Sequence, residues 1–251
     1  MNGLTCAAPV AGGLVAGSVS GAVPAPGTSS DLLSAVLCPD VTAAARLMAG
    51  GGLVVYPTET FFGLGCRADA PDAVLRIFAA KRRKADMPLP VIIASAEQLP
   101  LVAAPGPNIA DDLADLAAFW PGPVTLLLPA RAGLPEALTG GTGRIALRVS
   151  SHPAARALAE ACAFPVVSSS ANISGRPAVT SAAELDPELL SFLRPGLDGV
   201  LAPPAPSPAP GGGLASTIVE PLGSRRLLVR REGALPLPRL SEAGFSLTFP
   251  H

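Results

Sequence analysis

The chain has 251 residues, 49% of them hydrophobic, which is enough for one full core with tails. Lys and Arg number 18 against 19 Asp and Glu, a net charge of −1; this excludes the strongly basic footprint of a nucleic-acid binder and leaves any RNA contact local, weak or partner-assisted. Cys6, Cys38, Cys66 and Cys162 form no CxxC pair and only two histidines occur, so neither a zinc site nor a disulfide framework is indicated, and a reducing cytoplasm suits the cysteine usage.

Residues 1–38 carry a single charge, Asp31, and are rich in Gly, Pro and small apolar residues. The apolar run at 14–23 has no Lys or Arg before it, unlike an export signal, and no stretch of the chain is long and uninterrupted enough to span a membrane. We expect a disordered or weakly ordered tail over 1–38, one folded domain over 39–237 and a second tail over 238–251.

From Asp40 the pattern alternates between strand-like and helix-like segments, the signature of an α/β domain. Leu53–Tyr56 reads as a buried strand. Asp69 is expected to cap a helix that runs through Ala73, Ile77 and Phe78 to about Lys81. Leu89–Ile93 reads as a strand, and Asn108 opens a helix with Ile109, Leu113, Leu116 and Phe119 on one face. The Trp-Pro-Gly-Pro turn at 120–123 stops that helix. Further strands are expected at Val124–Leu128, Ile145–Val149, Val166–Ser169, Thr217–Val219 and Leu227–Val229, with helices at Pro153–Cys162 and Ala182–Leu193. The Pro-rich and Gly-rich run 202–213 reads as a loop.

Among nucleotide motifs, no Gly-x-x-x-x-Gly-Lys-Ser/Thr occurs, which excludes a P-loop. Gly141, Gly143 and Ala146 match a dinucleotide fingerprint only formally, since they precede a strand instead of following one. Four polar clusters remain. Thr58-Glu59-Thr60 follows a strand and is closed by glycines, a loop able to present hydroxyls and amides, although an ordinary turn would look the same. Lys81-Arg82-Arg83-Lys84 ends a helix; such runs are mostly solvated, yet a Lys and an Arg two residues apart can clamp phosphates. Ser168 to Gly175 places hydroxyls and an amide directly after the apolar strand Val166-Val167, which favours a ligand site over a satisfied turn. Ser216-Thr217 and Arg231-Glu232-Gly233 each look like plain edge-strand sequence.

In this order and spacing the clusters resemble the YrdC (TsaC) family of threonylcarbamoyl-AMP synthases. The family pattern Pro-Thr-Glu-Thr-x-Tyr-Gly-Leu-Gly, Lys-x-Arg, Trp-Pro-Gly-Pro-x-Thr, Arg before His-Pro, Ser-Ala-Asn, Ser-Thr and Arg-x-Gly falls here at 57–65, 81–83, 120–125, 148–153, 170–172, 216–217 and 231–233. The resemblance covers about residues 40–235. It implies a twisted, mainly mixed β-sheet flanked by helices around a basic concave cavity. It also implies an ATP-dependent nucleotidyltransferase that makes threonylcarbamoyl-AMP and pyrophosphate from L-threonine, bicarbonate and ATP, for downstream proteins that transfer the threonylcarbamoyl group to tRNA.

By the same resemblance, Thr58, Arg148 and Ser216 would hold threonine. Lys81, Arg83, Ser170, Asn172 and Arg231 would hold the nucleotide, with Lys81 and Arg83 as the catalytic pair. Magnesium would arrive with ATP, since no carboxylate cage is visible. His152 is read as a cap at a helix start, not a general base, and Cys66 and Cys162 as buried side chains, not nucleophiles. The chain departs from the pattern at Phe62, Arg82, Lys84, Met87 and Ala215, and 202–213 stands where the family has an Asp-Gly-Gly loop. Its length suggests the short form of the family. Weak binding of tRNA or double-stranded RNA is a further expectation, and two rival readings are a catalytically silent relative that binds double-stranded RNA or acts in ribosome assembly, and the carbamoyl-transfer module of hydrogenase maturation proteins such as HypF.

Overall fold

The structure, a computed structural model, describes residues 28–84, 86–202 and 208–250; residues 1–27 of the tail expected over 1–38 and residues 203–207 of the 202–213 loop lie outside them. The first half contains α1 (Ser29–Ala35), β1 (Leu37–Cys38), α2 (Val41–Ala49), β2 (Val54–Pro57), β3 (Phe62–Gly65), α3 (Pro71–Lys81), β4 (Val91–Ile92), α4 (Ala110–Ala117) and β5 (Val124–Pro129). The second half contains α5 (Glu136–Thr139), β6 (Arg144–Arg148), α6 (Pro153–Ala161), β7 (Val166–Val167), β8 (Ser169–Ser170), α7 (Pro187–Phe192) and β9 (Gly199–Leu201). It closes with β10 (Thr217–Gly223), β11 (Arg226–Arg231), α8 (Leu237–Glu242) and β12 (Ser246–Thr248).

The strands form two mixed sheets, ordered β1-β9-β2-β3-β8 and β12-β11-β10-β5-β6-β4-β7. The mixed, helix-flanked β architecture implied by the resemblance is present, divided here into two sheets. The chain crosses between them at Ser168: Val166 and Val167 pair with β4 in the second sheet, while Ser169 and Ser170 pair with β3 in the first. The expected strand Val166–Ser169 is split because its two halves belong to different ladders.

Alternation along the central strands of the second sheet decides what is core and what is cavity. Leu126 and Leu128 of β5, Ile145 and Leu147 of β6, and Val219 of β10 are fully buried in the main apolar cluster. The intervening residues face the cavity described below. A smaller apolar cluster packs α2 and α6 against β2, with Met48, Val54, Tyr56 and Leu158 at its centre.

Several expectations are corrected. Residues 29–38 are not tail: Thr28 and Asp31 form a reciprocal cap on α1, and β1 adds to the edge of the first sheet. At the other end, α8 buries Leu237 and Leu240, and β12 pairs with β11, so order extends past 237. Helix α3 has no side-chain cap, because Asp69 instead accepts from Arg67 Nε and Nη2 at 3.0 and 2.6 Å. The expected helix 182–193 is broken by Pro187, and Asp186 caps the shorter α7. Strand β3 lies where the sequence reads as a loop, and no element is expected at β9.

Strand β9 is held by Asp198, a buried carboxylate immediately before it. Oδ1 accepts from Leu53 N at 2.7 Å; Oδ2 accepts from Arg194 N at 2.8 Å and from Arg76 Nη2 at 2.5 Å. Replacing Asp198→Ala leaves the largely buried Arg76 without its carboxylate partner and should cost roughly 3–5 kcal/mol. Urea unfolding is expected to show this as a lowered midpoint at unchanged slope.

Candidate functional site

A cavity of about 540 Å³ is lined from both sheets. Thr125 and Leu127 of β5, Arg144, Ala146 and Arg148 of β6, and Ile218 of β10 form one wall, each the alternate of a core residue. The β2–β3 turn and Ser168–Ser170 form the facing wall, and Arg83, Ser216, Arg230 and Arg231 complete it. Such a volume lies within the range of small-molecule sites.

Six of the eight residues expected at the site line this cavity: Thr58, Arg83, Arg148, Ser170, Ser216 and Arg231. Lys81 and Asn172 do not; they stand behind it. The Lys81 ammonium, 2% exposed at the end of α3, donates to the Ser170 carbonyl, to the Asn172 carbonyl at 2.6 Å and to Asn172 Oδ1 at 3.3 Å. Asn172 donates onward to the carbonyls of Ile173 and Arg176 at 3.0 and 2.6 Å. The pair thus fixes the backbone that presents Ser170.

Helix α3 ends on Arg82 in the left-handed conformation, with the Arg83 amide bonded to the Phe78 carbonyl at 2.9 Å. That reversal places Arg83 at the cavity, where Nη2 donates to the Pro88 carbonyl at 2.9 Å and Nε is buried without a partner among the described residues.

Thr58 is nearly fully buried. Its hydroxyl donates to the Phe61 carbonyl at 2.7 Å and accepts from the amides of Thr60 and Phe61 at 3.3 Å, so it organises its own turn. The neighbouring Glu59 carboxylate takes Arg148 Nε at 3.0 Å and the Ser150 hydroxyl. Ser216 shares a 2.8 Å hydrogen bond with Thr125, and its carbonyl accepts from Arg231 Nε and Nη2 at 3.1 and 2.8 Å. Gly233 is required for this approach: a Cβ there would lie 2.2 Å from the Ala215 carbonyl oxygen. This gives the Arg-x-Gly spacing a steric reason.

Five arginines line the cavity, but three have carboxylate partners. Arg148 pairs with Glu59, and the buried Glu220 holds both Arg144 and Arg230. Glu59, Thr125, Ser150, Glu220, Arg144 and Arg230 were given no role from sequence. The signal available for Thr125 was its place at the end of the Trp-Pro-Gly-Pro-x-Thr motif; Glu220 and Arg230 lie on the paired neighbours β10 and β11, whereas Arg144 lies across β5 and gave no signal.

Burial, and secondarily the nearby Arg83, bring the Lys81 amine down to about 7. Burial lowers Arg83, and burial followed by Arg148 lowers Arg231. Desolvation pushes the Cys162 thiol up to about 11 and raises Cys66 further, so neither is a ready thiolate. His152 is buried at the start of α6, where Nδ1 accepts from the Ala154 amide at 3.2 Å; it caps the helix, as expected. Among the described residues no group of three or more His, Cys, Asp and Glu could hold a metal ion, and no helix is long and apolar enough to cross a membrane.

The two mixed sheets and their shared cavity define an α/β ligand-binding domain of recognisable type. Residues 46–233 match the family model Sua5_yciO_yrdC, described as telomere recombination, and the chain belongs to this family. A relative named threonylcarbamoyl-AMP synthase from Xanthomonas campestris pv. campestris (strain B100) is 41% identical over 174 residues, 67% of this chain and 91% of the relative. A relative of the same name from Bacillus subtilis (strain 168) is 36% identical over 196 residues, 78% of this chain and 54% of the relative. Among solved structures, Sua5 of P. abyssi complexed with L-threonine is similar at a TM-score of 0.72 and 35% identity, covering 83% of this chain and 58% of that longer one. E. coli YciO matches at 0.60 and 23% identity over 79% of this chain and 94% of that one, a likeness of fold alone.

The Lys81 shift has a measurable consequence. Unfolded, the amine titrates near the ordinary lysine value of about 10.4; folded, near 7. Between these values the unfolded chain binds more protons, so this residue makes the protein gain stability as pH rises through that window. Thermal unfolding of wild type and Lys81→Met should therefore show the wild type gaining on the variant from pH 7 to pH 10, with the difference constant below pH 6.

Proposed function

We propose that this chain is a threonylcarbamoyl-AMP synthase that uses L-threonine, bicarbonate and ATP and releases pyrophosphate. The observation that carries the reading is that arginines and hydroxyls from separated motifs, Arg83, Arg148, Ser170, Ser216 and Arg231, line one cavity in a chain 41% identical to a protein of that name.

Threonine's carboxylate would meet Arg148, whose Nε engages Glu59 and which lines the cavity, with the Thr58 turn and Ser216 shaping the rest of that end. The ATP phosphates would meet Arg83, Arg231 and Ser170, with Lys81 and Asn172 bracing the Ser170 backbone. Condensation of the threonine amine with bicarbonate gives a carbamate and water. A carbamate oxygen then attacks the α-phosphorus, a P–O bond forms, the bond to the β-phosphate oxygen breaks, and pyrophosphate leaves with the electron pair. The step is a nucleotidyl transfer that needs in-line positioning and charge neutralisation, not a protein nucleophile. Magnesium would enter on the ATP phosphates, because the lining offers hydroxyls and guanidinium groups but no carboxylate. Downstream transfer proteins acting on tRNA would consume the product, and this reading places the enzyme in the cytoplasm.

A cavity of about 540 Å³ and a net charge of −1 favour small substrates over an RNA duplex. Purified protein with ATP, magnesium and bicarbonate should release pyrophosphate only when L-threonine is added, and Lys81→Ala should lower the rate by about 100-fold. Threonine-independent release would overturn the synthase reading. No release together with a steeply salt-dependent RNA affinity would favour the RNA-binding relative.

A further inference from the structure

His152 makes one contact that helix capping does not explain. Its Nδ1 accepts from the Ala154 amide, so the ring proton sits on Nε2, and Nε2 lies 2.8 Å from the Pro208 carbonyl oxygen. Pro208 belongs to the Pro-rich and Gly-rich segment that replaces the family's Asp-Gly-Gly loop. Three residues on, the Gly211 and Gly212 amides donate to the carbonyls of Glu59 and Thr60 at 3.0 and 2.7 Å.

These bonds close a circuit. The Glu59 carboxylate accepts from the Ser150 hydroxyl, and Ser150 Oγ accepts from the His152 amide at 3.2 Å. His152 Nε2 donates to Pro208, and Gly211 returns to the Glu59 carbonyl. Three segments, 58–61, 148–152 and 208–213, are tied at the point where Glu59 also accepts from Arg148. None of the bonds within the circuit reaches the cavity itself, and His152 does not line it.

We propose that His152 is a positioning residue for the amino-acid end of the cavity: through Pro208 it clamps the 208–213 segment onto the Thr58–Phe61 turn, which fixes Glu59 and hence the direction of Arg148. The threonine part of this inference rests on the synthase reading above; the clamp does not. It works through backbone carbonyls, so residue type at 208 matters less than the reach of the imidazole.

Two variants separate clamp from cap. In His152→Asn the side-chain oxygen reproduces Nδ1 as the cap acceptor but cannot reach Pro208. In His152→Gln the amide nitrogen reproduces Nε2 but leaves the helix start uncapped. Hydrogen exchange at the Gly211 and Gly212 amides should accelerate about tenfold in His152→Asn and little in His152→Gln. Steady-state turnover should show KM for L-threonine raised about fivefold in His152→Asn, with kcat and KM for ATP within about twofold of wild type, and near-wild-type values in His152→Gln. Unchanged exchange in His152→Asn overturns the clamp, and threonine kinetics that follow melting temperature in both variants overturn the positioning role. A wild type without threonine-dependent turnover sinks the synthase reading instead, while the exchange measurement still decides the clamp.

Discussion

The ion pair between Glu59 and Arg148 joins the two sheets, and the cavity exists where it does because of that joint. Glu59 belongs to the turn between two strands of the first sheet, Arg148 to the last position of a central strand in the second. Both side chains are largely buried, at 12% and 7% exposure. Desolvating two charges is costly, and removing either partner would strand the other, an effect of about 3–5 kcal/mol. The extra hydroxyl from Ser150 helps offset the cost by filling the second carboxylate oxygen. Among the described residues Arg148 donates only through Nε, which leaves the planar edge that matches a carboxylate in two-point fashion. Glu59 therefore contributes to orientation as well as to stability.

A second constraint acts on the nucleotide side. The chain changes sheets at Ser168, so Ser169 and Ser170 hold strand geometry against β3 while the preceding valines lie in the other ladder. A backbone that switches ladders leaves carbonyls pointing where no strand can reach them. Lys81 meets two of these, from Ser170 and Asn172. These carbonyls offset part of the desolvation that brings the amine down to about 7, and they recast the Lys-x-Arg motif: the arginine faces the cavity while the lysine secures the loop opposite.

Legibility in the sequence divides along physical lines. Long helices with regular apolar spacing, such as Pro71–Lys81 and Pro153–Ala161, were placed within a few residues because periodicity reports burial directly. The two-residue strands β7 and β8 were not told apart, since they are specified by partners more than seventy residues away and their own sequence reads as one run. Strand β9 was missed for the same reason: Asp198, which anchors it, looks like a loop carboxylate until Arg76 is seen beside it. At the site, the motif residues were legible as a set, six of them lining one cavity, whereas Glu59's partner and the triad of Arg144, Glu220 and Arg230 depend on the order of strands. A glycine such as Gly233 could be noted from the motif, but its reason, the close passage of Ala215, is purely tertiary.

Net charge is the least informative quantity about this site. The chain sums to −1, yet five guanidinium groups line a single cavity. Glu59 and Glu220 neutralise part of that charge from behind, each using a buried carboxylate to aim arginines rather than to cancel them. Arg83 and Arg231 bond only to carbonyls and to Ser216 among the described residues, so their charge is the component an anionic ligand would meet uncompensated. Desolvation, which lowers both, makes that meeting more favourable, because the water already lost from each guanidinium need not be removed again when a phosphate arrives. Residues 208–212 act in the same direction: Pro208, Gly211 and Gly212 are bonded to His152 and to the Thr58–Phe61 turn, so the wall beside these charges is set by the fold rather than by the ligand.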